Sequence, residues 1–317
     1  MKLITFKDII DLNISVREYY GWTEEMISHK SDAILPPKIS IKPEPGVFCN
    51  VMPSVVKADG TRYGGVKVVT RYPERKPSLD SKLMLYNIDN GDVLALMDGD
   101  WITAMRTGTV AAHSIMKLAK TDFSVIGMIG LGNVARTTLD VLLTMMPERH
   151  FKVKLYRHHE TEIDFSNRFK DYPNVEFTFV DDHYSAVKGS DVVISCVTYA
   201  PVDFCPDEAF AEGVLVVPVH TLGFTNCDLF FDKVFADDTG HVCHFKNFDK
   251  FRKFAEMGEV VSGKAPGREN DRERILAYNI GISIHDIYFA SRIYNLLKDN
   301  EGIPEIDLAG PTEKYWA

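Results

Sequence analysis

The chain has 317 residues, of which 45% are hydrophobic and 26% are charged, and these proportions exclude wholesale disorder. Its 36 Lys and Arg residues against 45 Asp and Glu residues give a formal net charge of -9, which argues against nucleic acid as the main partner. Apolar runs such as 192–197 and 214–219 have the length of buried strands, so no membrane partner is expected. The five cysteines form no Cys-x-x-Cys pair, a pattern that predicts reduced thiols and a cytoplasmic location.

The first third of the chain predicts an α+β region. Residues 1–35 show an amphipathic helical pattern that ends at Pro36-Pro37, because proline disfavours a continuing helix. Short segments rich in Val, Ile and Tyr then predict strands of a largely antiparallel sheet, at 38–41, 47–56, 63–70, 82–88 and 93–97. Asp89-Asn90-Gly91-Asp92 is typical of a hairpin turn.

The rest of the chain alternates between helical and strand patterns. A helix is predicted over 101–120, and another over 271–299. Between them lie predicted strands at 124–129, 151–156, 175–180, 191–197, 213–219 and 233–236. This alternation predicts a parallel, doubly wound sheet with helices on both faces.

A glycine-rich loop follows the first of these strands. Gly130-Leu131-Gly132-Asn133-Val134-Ala135 has the spacing G-x-G-x-x-A and precedes a predicted helix. The first glycine permits a tight turn, the second lets the backbone approach a pyrophosphate, and the small third residue lets helix and strand pack closely. The N-terminus of the helix offers free N–H groups to the phosphates. The loop therefore predicts dinucleotide binding in a Rossmann-type fold.

The end of the second strand of this region bears on the choice of cofactor. NAD enzymes usually carry an acidic residue there, which accepts a hydrogen bond from the ribose 2′-hydroxyl. This strand instead ends in Leu155-Tyr156-Arg157-His158-His159, and Arg157 could hold a 2′-phosphate. NADP(H) is therefore the expected cofactor, and NAD(H) stays open.

Several motifs in this order resemble the ornithine cyclodeaminase/mu-crystallin family across nearly the whole chain. The motifs lie before and after the glycine loop, at Gly65–Thr70, Leu94–Gly99, Ile102–Gly108 and Gly258–Arg268. The resemblance implies a homodimer of two-domain subunits. Residues 1–118 with 285–317 would bind substrate and form the dimer interface, and residues 119–284 would form the Rossmann domain. It also implies hydride exchange between a nicotinamide and the α-carbon of an amino or imino acid.

The resemblance assigns roles to individual residues. Lys67 matches the active-site lysine, which either moves a proton or binds a carboxylate, and Arg106 matches the arginine that anchors the substrate α-carboxylate. Lys38, Asn50 and His220 complete the expected substrate-binding set. The expected cofactor-binding residues are Thr107, Gly130, Gly132, Asn133, Val134, Ala135, Arg157, Thr198 and Asn279.

The segment from His220 to Asp228 departs from the pattern of the cyclodeaminases. When Asp228-Leu229 is aligned with the Glu-Leu pair of those enzymes, no aspartate stands at the position that acts on the ornithine side chain in them. We therefore expect a reductase of imino acids or the reverse amino-acid dehydrogenase. Ornithine cyclodeamination, which eliminates ammonia, and a binding protein similar to mu-crystallin are the alternatives. Because His241, Cys243 and His244 have no partner at a recognised ligand spacing, no metal site is expected.

Overall fold

The computed structural model describes residues 1–197, 200, 202–219, 223–308 and 310. By contacts, the chain divides into two units. Of the described residues, the first contains those within 1–13, 33–102 and 286–310, and the second contains those within 14–32 and 103–285. The contacts thus group 14–32 and 103–118 with the second unit, although the predicted domain limits place them in the first. The limits of independently folding domains stay a prediction.

Strands and α-helices occur in both units. In chain order, the strands are β1 Lys2–Ile4, β2 Ile39–Ile41, β3 Phe48–Ala58, β4 Thr61–Arg71, β5 Leu79–Asn87, β6 Val93–Asp98, β7 Val125–Ile129, β8 Phe151–Tyr156, β9 Val175–Val180, β10 Val192–Ser195, β11 Leu215–Pro218, β12 Lys233–Ala236, β13 Phe254–Glu256 and β14 Ile275–Tyr278. The helices are α1 Phe6–Asp11, α2 Val16–Ser28, α3 Asp100–Leu118, α4 Asn133–Met145, α5 Thr161–Arg168, α6 His183–Val187, α7 Thr239–Val242, α8 Met257–Val261 and α9 Ser283–Leu297. No helix in the described ranges is both long and apolar enough to span a membrane.

The first unit is built on a six-stranded sheet in the order β1-β6-β5-β4-β3-β2. All of its neighbours are antiparallel except β1, which runs parallel to β6. Along β3, β4 and β5 buried and more exposed residues alternate, because successive side chains of a strand point to opposite faces. One face of this sheet is therefore buried and the other is open. The predicted turn at 89–92 is present, and its Gly91 adopts a φ of 80°.

The second unit contains an eight-stranded parallel sheet in the order β13-β12-β14-β11-β10-β7-β8-β9. From the centre outward, β7-β8-β9 extends to one side and β10-β11-β14 to the other, which is the doubly wound Rossmann order. The strands β10, β11, β12 and β14 are buried throughout, as expected for a parallel sheet covered on both faces. The predicted α/β class is thus confirmed.

Two predicted helices were wrong in part. The segment 1–35 begins with β1, and its helical part is divided between α1 and α2. The segment 271–299 contains β14, whose four residues are all buried, and helix α9 starts only at Ser283. Gly281 separates the two with a φ of 81°. In both places, pairing with a strand distant in the sequence overrides the local helical pattern.

Candidate functional site

The glycine loop follows β7, the central strand of the parallel sheet. Gly130 has a φ of 82°, and a Cβ atom at this position would lie 2.8 Å from the Cys196 carbonyl carbon and 2.8 Å from the Val197 nitrogen. A Cβ atom at Gly132 would meet nothing within 4 Å. Gly130 therefore allows a tight turn against the loop after β10, whereas Gly132 faces open space at the point where a pyrophosphate would lie.

The glycine loop and the first turn of α4 together form a phosphate-binding cradle of residues 130–135. Gly132 is the N-cap residue of the helix, and it has no side chain that could accept a hydrogen bond from the helix N–H groups. The N–H groups of Asn133, Val134 and Ala135 lie in the first turn, where no intrahelical acceptor is available. Ala135 is fully buried, as expected for the small third residue of the motif. These residues fit the phosphates of a dinucleotide cofactor.

Helix α3 passes close to the start of α4. A Cβ atom at Gly108 would lie 2.8 Å from the Val134 carbonyl oxygen, so only a glycine permits this approach. The neighbouring Thr107 is buried, and its hydroxyl has no hydrogen-bond partner among the described residues. A buried hydroxyl of this kind costs free energy unless another group binds it. Its place beside the cradle fits the predicted role in cofactor binding.

Arg157 follows directly after β8, as the sequence predicted. Its Nη1 atom lies 3.0 Å from Asp181 Oδ1, and its guanidinium lies over the ring of Phe179. Phe179 lies near the end of the neighbouring strand β9, and Asp181 directly follows that strand. The Arg157 side chain is exposed, so it is available to a ligand at this edge of the sheet.

Asn279 lies just after β14, and its side chain forms hydrogen bonds within the second unit. Its Oδ1 atom accepts a hydrogen bond from Ser114 Oγ at 2.9 Å, and its Nδ2 atom donates one to the Ala277 carbonyl oxygen at 3.0 Å. The amide thereby ties the end of β14 to α3. Contact between Asn279 and the nicotinamide stays a prediction. Thr198 and His220 lie outside the described residues.

Lys67 lies in β4 on the buried face of the first unit's sheet. It is 0% exposed, and its cross-strand neighbours Met52 and Leu83 are apolar. The Nζ atom donates a hydrogen bond to Asp286 Oδ1 at 2.8 Å, and Asp286 is also 0% exposed. Both charges are thus removed from water and face one another.

Helix α9 places Asp286 above the strand. Asp286 lies in the first turn of α9, and a Cβ atom at Gly65 would collide with the side chain of the next residue, Ile287. The absence of a side chain at Gly65 therefore lets α9 lie close to β4. Sequence reasoning did not assign a role to Asp286. The signal was a lysine on an apolar strand face, which needs an anionic partner when it is buried.

Two further predicted substrate residues belong to the same unit, and Asn50 shares this face of the sheet. Asn50 lies opposite Val69, two residues along β3 from Met52, and Lys38 lies just before β2. Both are half-buried, and Asn50 Oδ1 has no hydrogen-bond partner within the described part of the chain. Asn50 and Lys67 thus lie on neighbouring strands of the same unit, and Lys38 directly precedes the next strand of that sheet.

Arg106 belongs to the second unit, where it lies in α3 and is 1% exposed. Burial, together with the nearby positive charge of Arg106, holds the pKa of His285 well below its usual range. A second buried histidine, His113, lies seven residues further along α3, and burial lowers its pKa to about 4. Neither ring nitrogen of His113 has a hydrogen-bond partner among the described residues.

The buried histidines predict a loss of stability in mild acid. Because the folded His113 has a pKa of about 4 and an unfolded histidine about 6.5, the unfolded state binds more protons between these values. The free energy of unfolding should therefore fall as the pH drops from 6.5 toward 4, by up to about 1.4 kcal/mol per pH unit for each such histidine. Thermal unfolding of the wild type and of His113→Leu between pH 7 and pH 5 measures this. The variant should show a shallower slope, and an unchanged slope would contradict the assignment.

Among the described residues, one group of acidic side chains has the spacing of a metal site. Asp80, Asp98 and Asp100 lie together in the first unit, but Lys82 already pairs with Asp80 and with Asp98. His241, considered from its sequence, donates a hydrogen bond from Nδ1 to Asp238 Oδ2 at 2.7 Å. Neither arrangement calls for a metal ion.

Comparison with known proteins identifies the family. Residues 2–301 match the model of the ornithine cyclodeaminase/mu-crystallin family. The chain belongs to this family. The motifs that predicted it lie within the matched residues, and the resemblance drawn from the sequence is confirmed.

Similar proteins include two curated enzymes and one solved structure. The chain is 27% identical over 265 residues to the Delta(1)-pyrroline-2-carboxylate reductase of Bacillus cereus, covering 77% of this chain and 80% of that enzyme. It is 27% identical over 299 residues to the N-((2S)-2-amino-2-carboxyethyl)-L-glutamate dehydrogenase of Staphylococcus aureus, covering 86% and 87%. The structure of the Thermococcus litoralis Delta(1)-pyrroline-2-carboxylate reductase with NADH and L-proline has a TM-score of 0.84 and 25% identity, covering 96% of this chain and 100% of that one.

Proposed function

We propose that the chain is an NAD(P)H-dependent reductase of the imines of α-keto acids, or, in the reverse direction, an amino-acid dehydrogenase. The observation that carries the proposal is the buried Lys67 in a chain whose other unit holds an open dinucleotide cradle at Gly132. Two relatives named as reductases of a cyclic imino acid and one named as an amino-acid dehydrogenase support this reaction class. A bound nicotinamide supplies the hydride.

The residues of the chain hold and orient the substrate. Arg106 binds the α-carboxylate, since a guanidinium forms two parallel hydrogen bonds with a carboxylate. Lys67 is the second catalytic residue, and Lys38, Asn50 and His220 complete the substrate set. Fixing the substrate in this way is worth up to about 7–11 kcal/mol of the barrier, because the reacting groups no longer have to meet by diffusion.

NADP(H) is the preferred cofactor in this proposal. The exposed guanidinium of Arg157 lies at the end of β8, where the ribose 2′ substituent lies in Rossmann folds. Arg157→Ala should therefore weaken NADPH binding by about 10-fold or more and leave NADH binding nearly unchanged, because a charge-assisted pair contributes about 1.5–3 kcal/mol. Fluorescence titration with both cofactors measures the two dissociation constants.

The control for this variant is Arg252→Ala, which removes an exposed arginine near β13. It should affect neither cofactor. Equal losses of NADPH and NADH affinity in Arg157→Ala would contradict the assigned preference for the 2′-phosphate.

The open face of the first unit's sheet favours a homodimer. Apolar side chains on this face are exposed, among them Met84 and Leu96, and together they offer a surface for a second copy of the chain. A cytoplasmic location completes the proposal, because all five cysteines are free thiols. Small amino, imino or keto acids are the proposed partners.

A spectrophotometric assay tests the function. Oxidation of NADPH and NADH is followed with pyruvate and ammonia, with pyruvate and methylamine, and with the cyclic imine Δ1-pyrroline-2-carboxylate. Turnover of at least one imine is expected. Release of ammonia from ornithine with only catalytic NAD would instead establish a cyclodeaminase, and tight cofactor binding without any turnover would indicate a binding protein.

A further inference from the structure

We propose that His158 and His183 bind the 2′-phosphate of NADPH in their protonated form, so that the preference for NADPH over NADH increases as the pH falls. This inference rests on the NADP(H) preference in the proposed function and adds a regulation of that preference by pH. It is carried by ring contacts that bring the two histidines to the sheet edge where Arg157 lies, and by carboxylates that offset the charge of Arg157.

Both histidines are placed around Tyr156, the last residue of β8. The centroid of the Tyr156 ring lies 4.4 Å from that of His183, which begins α6, and 6.5 Å from that of His158. Phe204, in the segment after β10, places its ring centroid 4.7 Å from that of His183. Strands β8, β9 and β10 belong to the parallel sheet, so these rings lie at its carboxyl edge, where ligands of open α/β sheets bind.

Arg157 alone does not make this edge positive. Its Nη1 atom lies 3.0 Å from Asp181 Oδ1, and Asp182 follows directly. Hydrogen bonds from the N–H and the hydroxyl of Ser185 hold the pKa of the Asp182 carboxyl below its usual value, so this group stays ionised at neutral pH. A phosphate monoester carries about 1.5–2 negative charges at pH 7. One guanidinium at an edge that also holds two carboxylates offers such a group little net attraction, so further positive charge is needed.

Helix α5 and the residue before it add negative charge near His158. Glu162, in the first turn of α5, is buried, and its Oε2 atom accepts a hydrogen bond from the His158 backbone N–H at 3.3 Å. Glu160 directly precedes the helix and is exposed. A third histidine, His159, places its ring centroid 4.2 Å from that of His158. Among the contacts that the structure describes at this edge, protonated histidines therefore supply the added positive charge.

Without a bound phosphate, the two histidines disfavour protonation of one another. Burial lowers the pKa of His183, Asp182 opposes this shift, and the nearby His158 adds to it. Asp203, in the segment after β10, accepts a hydrogen bond from the Thr225 N–H at 3.0 Å. A phosphate dianion reverses the balance, because an opposite charge favours the charged form of a histidine. Binding of NADPH should therefore take up protons from solvent, whereas NADH, which lacks the 2′-phosphate, should take up fewer.

Isothermal titration calorimetry of the wild type measures this proton uptake. NADPH and NADH are titrated at pH values from 6.5 to 8.0, each in two buffers with different ionisation enthalpies, because a phosphate monoester is mostly doubly charged in this range. Binding of NADPH should take up about 0.5–1 proton near pH 7, and its dissociation constant should rise by about 3–10-fold per pH unit. The dissociation constant of NADH should stay nearly constant. Equal proton uptake by both cofactors would overturn the proposal.

Two variants assign the proton uptake to residues. Glutamine forms hydrogen bonds but gains no charge, so His158→Gln and His183→Gln should each lower the proton uptake on NADPH binding by about half. Each should also weaken NADPH binding by about 3-fold or more at pH 6.5 and by less at pH 8.0, because a hydrogen bond to a charged group is stronger than one to a neutral group. His150→Gln is the matched control, since His150 is exposed and directly precedes β8, at the opposite end of the same strand. It should keep the wild-type uptake.

The pH dependence of the wild type in both His158→Gln and His183→Gln would overturn the proposal. Loss of the proton uptake in His159→Gln alone would overturn it as well. Because His183 is half-buried, thermal unfolding checks that its variant is folded. If His183→Gln does not fold, the exposed His158→Gln still decides the matter by the slope of its NADPH dissociation constant against pH.

This inference and the proposed function fail separately. An enzyme that binds NADPH with the expected proton uptake but reduces no imine refutes the proposed reaction and supports the inference. A preference for NADPH that stays constant from pH 6.5 to 8.0 refutes only the inference. Equal affinity for NADPH and NADH at every pH refutes the cofactor preference and, with it, the inference.

Discussion

Replacement of Gly132 by alanine should weaken binding of the nicotinamide cofactor by about 100-fold or more while leaving the thermal stability of the protein unchanged. The added methyl group meets no protein atom within 4 Å, so the folded chain accommodates it. It does occupy the space in which the backbone must approach the pyrophosphate. Fluorescence titration with NADPH gives the dissociation constant, and thermal unfolding gives the stability.

The matched control is Gly21→Ala. Gly21 lies in α2, and a Cβ atom there also meets nothing within 4 Å. This variant should bind NADPH normally and unfold at the same or a higher temperature, because alanine favours a helix over glycine by about 0.5–1 kcal/mol. Normal cofactor binding by Gly132→Ala would mean that the pyrophosphate does not lie on this loop.

Replacement of Arg106 by lysine should lower kcat/KM by about 10²–10³-fold, mainly through a higher KM. Lysine keeps the charge but loses the two parallel hydrogen bonds, each worth about 1.5–3 kcal/mol when the partner is charged. Because Arg106 is buried, no water can easily replace the missing donor. Steady-state kinetics on the best imine substrate measures the change.

Arg62→Lys serves as the control for this substitution, since Arg62 is exposed and pairs with Asp89 on the surface of the first unit. Its kinetics should match those of the wild type. If Arg106→Lys retained its KM for a substrate with an α-carboxylate, the arginine would not be the carboxylate anchor.

The local features of the fold could be predicted from the sequence. The glycine loop is a short pattern in which each residue type answers a local need, namely a positive φ at Gly130, open space at Gly132 and close packing at Ala135. The alternation of strands and helices likewise predicted the parallel sheet. Such patterns depend only on residues that are close together in the sequence, so they can be recognised in a single sequence.

Features that depend on distant pairing were missed. Asp286 lies 219 residues from Lys67, and only the approach of α9 to Gly65 brings the two together. Strands β1 and β14 are short, and parallel pairing with distant strands stabilises them.

The most direct test of the account follows the hydride itself. The wild-type enzyme is supplied with an imine of an α-keto acid and with NADPH that carries deuterium at one or the other position of the nicotinamide C4, and the product is analysed by mass spectrometry. The account predicts one deuterium on the α-carbon of the amino acid from one of the two labelled forms, with one cofactor oxidised per product. Unlabelled product from both forms, or ammonia released without net oxidation of the cofactor, would contradict it.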